Sequence, residues 1–161
     1  MDKLYYGYRL GEWTSILSEY WDESKAKLAH DNHTMYAVQY GTKEKPIWYI
    51  LMDHDGGYVQ FFDEYSNVRM SYSFAKLKDG TVFRKYTIVR NYGNAKNELI
   101  SGVENFYDRK KLTCTVIYYD DGNGFETSRK EVKFNLEDNI LPFPAFGHYE
   151  KLVDPNIKVY L

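Results

Sequence analysis

The sequence contains a single cysteine, Cys114, among its 161 residues. One cysteine cannot form an intramolecular disulfide, and it cannot supply a zinc site built from several cysteines. Cys114 lies in an alternating apolar run with no histidine or asparagine close to it in the sequence. We therefore expect a buried, unreactive thiol, as is common for free cysteine, rather than a nucleophile.

An excess of charge of one sign is also missing. The 21 basic and 23 acidic residues give a formal net charge of −2. Proteins that bind the nucleic acid backbone cluster uncompensated lysine and arginine. The longest basic run, Arg109-Lys110-Lys111, directly follows Asp108 and is typical of a solvated turn. We expect no direct contact with nucleic acid.

Long apolar segments are absent as well. The longest one, residues 47–52, is far shorter than the ~20 residues that a membrane-spanning helix needs. The first residues of the sequence lack the apolar stretch of a secretory signal peptide. We therefore expect a soluble protein that makes no membrane contact and acts in the cytoplasm.

Motifs of catalysis are not found in the sequence. It has no nucleophile elbow, no phosphate-binding loop and no dinucleotide-binding glycine pattern. The adjacent acid pairs Asp63-Glu64 and Asp120-Asp121 would point to opposite sides of a strand, so neither pair can flank a scissile bond by itself. We expect a protein that is not an enzyme.

Metal ligands in a recognisable pattern are missing too. His30 and His33 are three residues apart near a predicted helix end, but no third and fourth ligand follow in a zinc pattern. Polar residues that suit the helix C-terminus are the better interpretation. Residues 53–57, Asp-His-Asp-Gly-Gly, lack the spacing of a calcium loop and are typical of a hairpin turn. We expect no metal and no cofactor.

Aromatic residues, by contrast, are abundant. They make up 18% of the chain, and tyrosine alone accounts for 17 residues. Apolar types reach 43%, which suffices for a core and excludes a disordered chain. Without a linker or internal repeat, residues 1–161 are expected to form a single domain. Tyrosine favours strands, and exposed tyrosines also provide amphipathic contact area for a protein partner.

Hydrophobic periodicity predicts a helix in the first part of the chain. Between residues 11 and 32, apolar side chains recur at spacings of three, four and seven, which is typical of an amphipathic helix packed on a core. The residues with this spacing are Trp13, Ile16, Leu17, Tyr20, Trp21 and Leu28.

From residue 34 the period changes to two, which predicts strands. The predicted strands cover residues 34–40, 46–53, 58–64, 68–75, 82–92, 112–119 and 125–134. Residues 93–111 have no clear period, and a short helix between 94 and 106 is one interpretation, although Gly102 weakens it. We predict an α+β fold in which the N-terminal amphipathic helix packs on an antiparallel meander sheet of about six or seven strands.

Four short segments resemble a group of bacterial immunity proteins. They are YVQFFDE at 58–64, MSYSF at 70–74, KDGTVF at 78–83 and PFPAFGHYE at 142–150, the last being similar to a YPxFGxYE ending. The resemblance covers about residues 55–92 and 140–152. It consists of aromatic residues and turns, without a catalytic signature. These immunity proteins are the small partners encoded beside polymorphic or contact-dependent growth inhibition toxins.

The resemblance implies a cytoplasmic protein that neutralises a cognate bacterial toxin by direct binding, without a cofactor. Such toxin domains are often basic nucleases, and acidic groups speed the encounter with a basic partner. Acidic residues at predicted turns, and tyrosines near them, are therefore the candidate contacts. They are Asp53, Asp55, Tyr58, Asp63, Glu64, Tyr65, Asp120 and Asp121. Tyr92 and Tyr119 lie at similar strand-end positions.

The alternative is a lipocalin-like or cup-shaped domain that binds a small ligand, with or without enzymatic activity. It would need a deep apolar cavity of several hundred Å³ with a few convergent polar groups. A solid core between the helix and the sheet would contradict it. A third possibility, an interaction module of a larger assembly, would self-associate as its concentration rises.

Overall fold

A computed structural model describes residues 1–8, 17–94, 98–120 and 125–161. Over these ranges the chain forms one antiparallel sheet of eleven strands, with one α-helix and one 3-10 turn, Leu136–Asn139. The helix is α1 (Glu23–Asp31). The strands are β1 (Lys3–Tyr8), β2 (Glu19–Trp21), β3 (Tyr36–Gly41), β4 (Pro46–Asp53), β5 (Gly56–Phe62), β6 (Val68–Lys76), β7 (Thr81–Tyr92), β8 (Leu99–Asp108), β9 (Thr113–Tyr119), β10 (Glu126–Lys133) and β11 (Ile140–Pro142).

The strands follow one another across the sheet as a meander. Their order is β10-β9-β8-β7-β6-β5-β4-β3-β1-β2, and β11 pairs with β7 outside this path. Antiparallel neighbours need only short turns, and the β4–β5 hairpin has the tightest, since Asp53 pairs directly with Gly56. The predicted antiparallel meander is confirmed, but it has more strands than expected and dominates the fold, which is mainly β rather than α+β.

The predicted helix over residues 11–32 is wrong in extent. α1 begins only at Glu23, and residues 19–21 form the edge strand β2. Asp22 sets the start of the helix, because its carboxylate accepts a hydrogen bond from the Lys25 amide at 2.7 Å. Trp13 and Ile16 lie outside the described residues.

The helix also packs through other residues than the periodicity predicted. Ala26 and Ala29 are buried against the sheet, whereas Leu28 is 62% exposed. Leu17 is buried, but among side chains of the opposite sheet face, near Ala37 and Tyr49. The short helix therefore contributes two small side chains to the core instead of an aromatic stripe.

Residues 99–108 form strand β8, so the helix considered between 94 and 106 is wrong where the structure describes it. Both faces of β8 carry apolar side chains, with Val103 and Tyr107 on one and Ile100 and Phe106 on the other. A strand with apolar residues on both faces shows no period of two, which explains why the sequence pattern was unclear. β1, β2 and β11 were also not predicted.

One face of the sheet, which we call the covered face, lies under α1 and the C-terminal segment. Its fully buried side chains include Tyr36, Ile50, Tyr72 and Phe74, and Leu152 of the C-terminal segment packs onto them. The Tyr72 hydroxyl donates a hydrogen bond to the Leu152 carbonyl. Large side chains of the sheet and the C-terminal segment, with the two alanines of α1, thus fill the space above this face.

Strand β7 changes its partner along one edge. Residues 86–92 pair with β8, whereas residues 81–83 pair with β11. Arg84 lies at this change and is 1% exposed. Its Nη2 donates to the Asp138 carbonyl at 2.8 Å and to Asn139 Oδ1 at 2.9 Å, and Asn139 Nδ2 donates to the Arg84 carbonyl at 3.2 Å. These bonds replace the strand pairing where β8 and β11 diverge.

Candidate functional site

The opposite face of the sheet, which we call the open face, carries a row of side chains across β5 to β8. The register places Tyr58 beside Ser73, Ser73 beside Tyr86, and Tyr86 beside Phe106. The rings of Tyr86 and Phe106 are in contact, with centroids 4.5 Å apart. Phe106 is nevertheless 42% exposed. A phenylalanine held at the surface by its neighbour offers apolar area to a partner.

A second row runs beside the first and contains a carboxylate. Glu104 lies between Ile88 on β7 and Ile117 on β9, both of which are buried. The Glu104 carboxylate lies close enough to the hydroxyls of Tyr86 and Tyr119 to act electrostatically on both. Burial and the Glu104 charge raise the pKa of both tyrosines, so these hydroxyls stay protonated beside the carboxylate.

A third row completes the site with a shallow groove. Arg90, Gly102 and Tyr119 are neighbours on three successive strands. Gly102 provides the space, since an added Cβ there would lie 3.2 Å from the Val89 carbonyl oxygen. The resulting groove has a volume of about 230 Å³. Arg90 and Glu104 both line this groove, so it carries one basic and one acidic side chain.

We call these six residues the β7–β9 patch: Tyr86, Arg90, Gly102, Glu104, Phe106 and Tyr119. Tyrosine, phenylalanine and arginine are enriched at protein–protein interfaces. The side chains extend from strands in the middle of a hydrogen-bonded sheet, so their positions are fixed before any partner binds. Such preorganisation reduces the entropy that binding must overcome.

The candidate contacts from the sequence lie at two separate places. Asp53 and Asp55 flank the β4–β5 turn, whereas Asp63 and Glu64 follow the other end of β5. Seven strand residues separate these turns, so they lie about 20 Å apart. The structure does not bring the two acidic pairs together.

One of the predicted contacts, Asp63, forms hydrogen bonds within the turn that follows β5. The Asp63 carboxylate accepts hydrogen bonds from the amides of Tyr65 and Asn67 at 2.9 and 2.8 Å, and from Asn67 Nδ2 at 2.9 Å. Asp63 therefore stabilises the turn. Glu64 and Tyr65 are exposed beside it.

The remaining candidates differ in their relation to the β7–β9 patch. Tyr58 lies on the open face and packs on Tyr49, with ring centroids 6.0 Å apart. Asp120 is exposed directly after β9, next to Tyr119 of the patch. Asp121 lies outside the described residues.

Sequence reasoning missed the centre of the patch. Glu104 and Phe106 belong to the segment without a clear period, and only Tyr119 was noted as a tyrosine at a strand end. A signal was present in residues Ile100, Gly102, Glu104 and Phe106, which occupy alternate positions and share one face of β8.

The described residues also bear on metal binding, membrane insertion and thiol chemistry. In the parts of the chain that the structure describes, no three histidine, cysteine, aspartate or glutamate residues lie close enough together to hold a metal ion. No helix among those residues is long and apolar enough to cross a membrane. The prediction that Cys114 is buried is confirmed, and burial raises the pKa of its thiol to about 11. This thiol is therefore protonated near neutral pH and is a poor nucleophile.

Comparisons with known proteins do not assign the chain to a family. No family model matches it, and no curated protein or solved structure matches it either.

Proposed function

We propose that this chain is an immunity protein that neutralises a cognate bacterial toxin in the cytoplasm by direct binding, and that the β7–β9 patch is the contact surface. The main support is the contact between the half-buried Tyr86 ring and the exposed Phe106 ring, beside the Glu104 carboxylate. Such a surface has an apolar centre with charged groups in set positions, as binding hot spots do.

The packing of the covered face supports binding through the open face. Tyr36, Ile50, Tyr72, Phe74 and Leu152 are all under 2% exposed and lie in one cluster. A ligand-binding cup would need an apolar cavity at this place. The filled interior of the described residues therefore favours a protein-binding surface over a small-ligand pocket.

The resemblance to immunity proteins rests on two stretches that are adjacent in the structure. Its two stretches, about residues 55–92 and 140–152, pack on each other through the β7–β11 pairing and the bond from Tyr72 to Leu152. They form the centre of the sheet and its cover. Four of the six patch residues lie outside these stretches, on β8 and β9. Inhibitors that share a fold but bind different toxins are expected to differ at such a surface.

Acidic groups near the patch support a basic partner. Asp120 directly follows Tyr119, and Glu64 belongs to a turn at the same end of the sheet. The Asp63 charge reaches Tyr92, at the end of the strand that bears Arg90. Exposed carboxylates around an apolar contact speed association with a basic nuclease without contributing much to final affinity.

Co-expression with the protein encoded immediately upstream tests the proposal. The chain is expected to co-purify with that protein and to rescue cells from its toxicity. The Phe106→Asp variant is expected to lose both, with affinity falling by about 30-fold or more, as for a central hot-spot residue. Leu28→Asp is the matched control, since Leu28 is also exposed but lies on α1.

Two results would contradict the proposal in different ways. Absence of binding and of rescue by the unaltered chain would reject the immunity function. If the Phe106→Asp and Leu28→Asp variants rescue cells equally well, the β7–β9 patch is rejected as the contact surface. Circular dichroism of both variants shows that any loss reflects the surface and not the fold.

A further inference from the structure

Strand β1 has an edge that its neighbour β2 covers only in part. β3 pairs with residues 3–7 on one side of β1, whereas β2 opposes only residues 6–8 on the other. Among the described residues, Lys3, Leu4 and Tyr5 therefore face no strand on the β2 side. An open strand edge presents backbone groups that can pair with another extended chain.

A groove follows this open edge. It has a volume of about 350 Å³, and the consecutive residues Lys3, Leu4, Tyr5 and Tyr6 all line it. Side chains of consecutive strand residues point to opposite faces, so a groove that contacts all four runs along the edge and not over one face. Trp21, at the end of β2, also lines the groove.

Two lysines and two tyrosines form one wall of the groove. The Lys3 ammonium lies 5.0 Å from the centre of the Tyr5 ring, and the Lys43 ammonium lies 4.4 Å from that of Tyr20. The two rings touch edge to face at 5.8 Å. These contacts hold both ammonium groups beside the open edge.

The lysines at this wall keep their charge available. In the described part of the chain, neither Lys3 nor Lys43 has a carboxylate within 4.0 Å. Glu23 lines the groove at a distance beyond ion pairing, and the Glu44 charge acts on Tyr20. The carboxylate of an incoming segment would therefore meet ammonium groups that no ion pair among the described residues occupies.

We propose that the β1 edge binds an extended acidic segment of a partner protein as an added strand. In this arrangement, carboxylates at alternate positions face Lys3 and Lys43, and the apolar residues between them face Leu4 and Tyr6. Backbone pairing supplies the affinity, and the alternating side chains supply the specificity. The site is separate from the β7–β9 patch and does not depend on its function.

Titration of the labelled protein with short capped peptides tests this proposal by NMR. The probe is a hexapeptide of alternating glutamate and valine, and the matched control replaces glutamate with lysine. We expect the acidic peptide to shift the amide signals of residues 3–7, 20–23 and 43, and to slow hydrogen exchange of those amides in residues 3–5 that face away from β3. The lysine peptide is expected to cause no such change.

Charge-reversed variants distinguish this edge from the rest of the surface. The double variant Lys3→Glu/Lys43→Glu is expected to weaken binding of the acidic peptide at least tenfold. Lys130→Glu/Lys133→Glu, on the opposite edge strand β10, is expected to leave binding unchanged. Equal binding of both peptides, shifts located elsewhere, or no shift at millimolar peptide would overturn the proposal. If the protein self-associates and Lys3→Glu/Lys43→Glu abolishes this association, the edge binds a second copy of the chain. That result would also overturn the proposal.

Discussion

The two faces of the sheet use the same residue type for different purposes. On the covered face, the hydroxyls of Tyr36 and Tyr72 contact His30 and the Leu152 carbonyl, and both rings are buried by the chain itself. On the open face, the hydroxyls of Tyr86 and Tyr119 lie beside the Glu104 carboxylate, whose charge acts on both. What lies above a tyrosine, and not its place in a strand, decides whether it serves the core or a contact surface.

The largest expected difference between the faces concerns stability. Phe74 on the covered face is 1% exposed, whereas Phe106 on the open face is 42% exposed. Phe74→Ala is expected to lower the free energy of unfolding by about 3–5 kcal/mol, because it leaves a cavity in a filled core. Phe106→Ala is expected to change it by less than about 1 kcal/mol. Urea unfolding of both variants measures this, and equal losses would remove the distinction between the faces.

A smaller loss is expected at the change of partner on β7. Asn139→Ala removes the bonds between Asn139 and Arg84 and leaves a buried guanidinium nitrogen without that acceptor. The expected loss of unfolding free energy is about 2–3 kcal/mol. Asn91→Ala is the matched control, since the exposed Asn91 donates a hydrogen bond to the Ser101 hydroxyl at 2.9 Å and its removal should cost less than about 0.5 kcal/mol. A loss no larger than that of Asn91→Ala would show that the hydrogen bonds between Asn139 and Arg84 are dispensable for stability.

The packing of the covered face is also expected to make the protein less stable at acidic pH. His30 lies 2.7 Å from the Tyr36 hydroxyl, and burial lowers the pKa of its imidazole below the ordinary value of 6.5. Asp31 opposes this shift, whereas His33, Lys27 and Lys76 reinforce it. The unfolded chain binds this proton more readily than the folded protein does. The contribution of His30 to the free energy of unfolding should therefore be complete above pH 6.5 and decrease as the pH drops below it.

Urea midpoints at pH 7.5 and pH 5.5 measure the contribution of His30 to this acid response. The difference between the two midpoints is expected to shrink in His30→Asn, whose side chain does not titrate. Retention of the full difference in that variant would assign the response to other groups.

Much of the fold follows from the sequence where one face of a strand is polar. β6 alternates buried Met70, Tyr72 and Phe74 with serines, and its prediction at residues 68–75 nearly matches the observed strand. The prediction fails where tertiary pairing overrides periodicity. Tyr20 and Trp21 have helical spacing, yet they pair with β1 as strand residues. Long-range pairing of this kind has no local signal.

The site was less predictable than the fold for a related reason. Turn acids such as Asp63 are conspicuous in a sequence, but the structure uses this carboxylate to bond its own turn. Glu104 and Phe106 become neighbours of Tyr86 and Tyr119 only through the register of three strands. Register depends on bulges, such as the one between Asn91 and Tyr92, that the sequence pattern does not reveal.

The smallest expected effect concerns the charge on the open face. Burial and the Glu104 carboxylate together raise the pKa of Tyr86 and of Tyr119. Glu104→Gln removes the negative charge but preserves the shape of the side chain, so both phenol groups should ionise at lower pH. Ultraviolet titration of the folded protein should show this as earlier phenolate absorbance, while Glu131→Gln on β10 should leave the curve unchanged. If Glu104→Gln leaves the curve unchanged as well, the carboxylate does not act on these hydroxyls, and Glu104 is not coupled to the tyrosines of the β7–β9 patch.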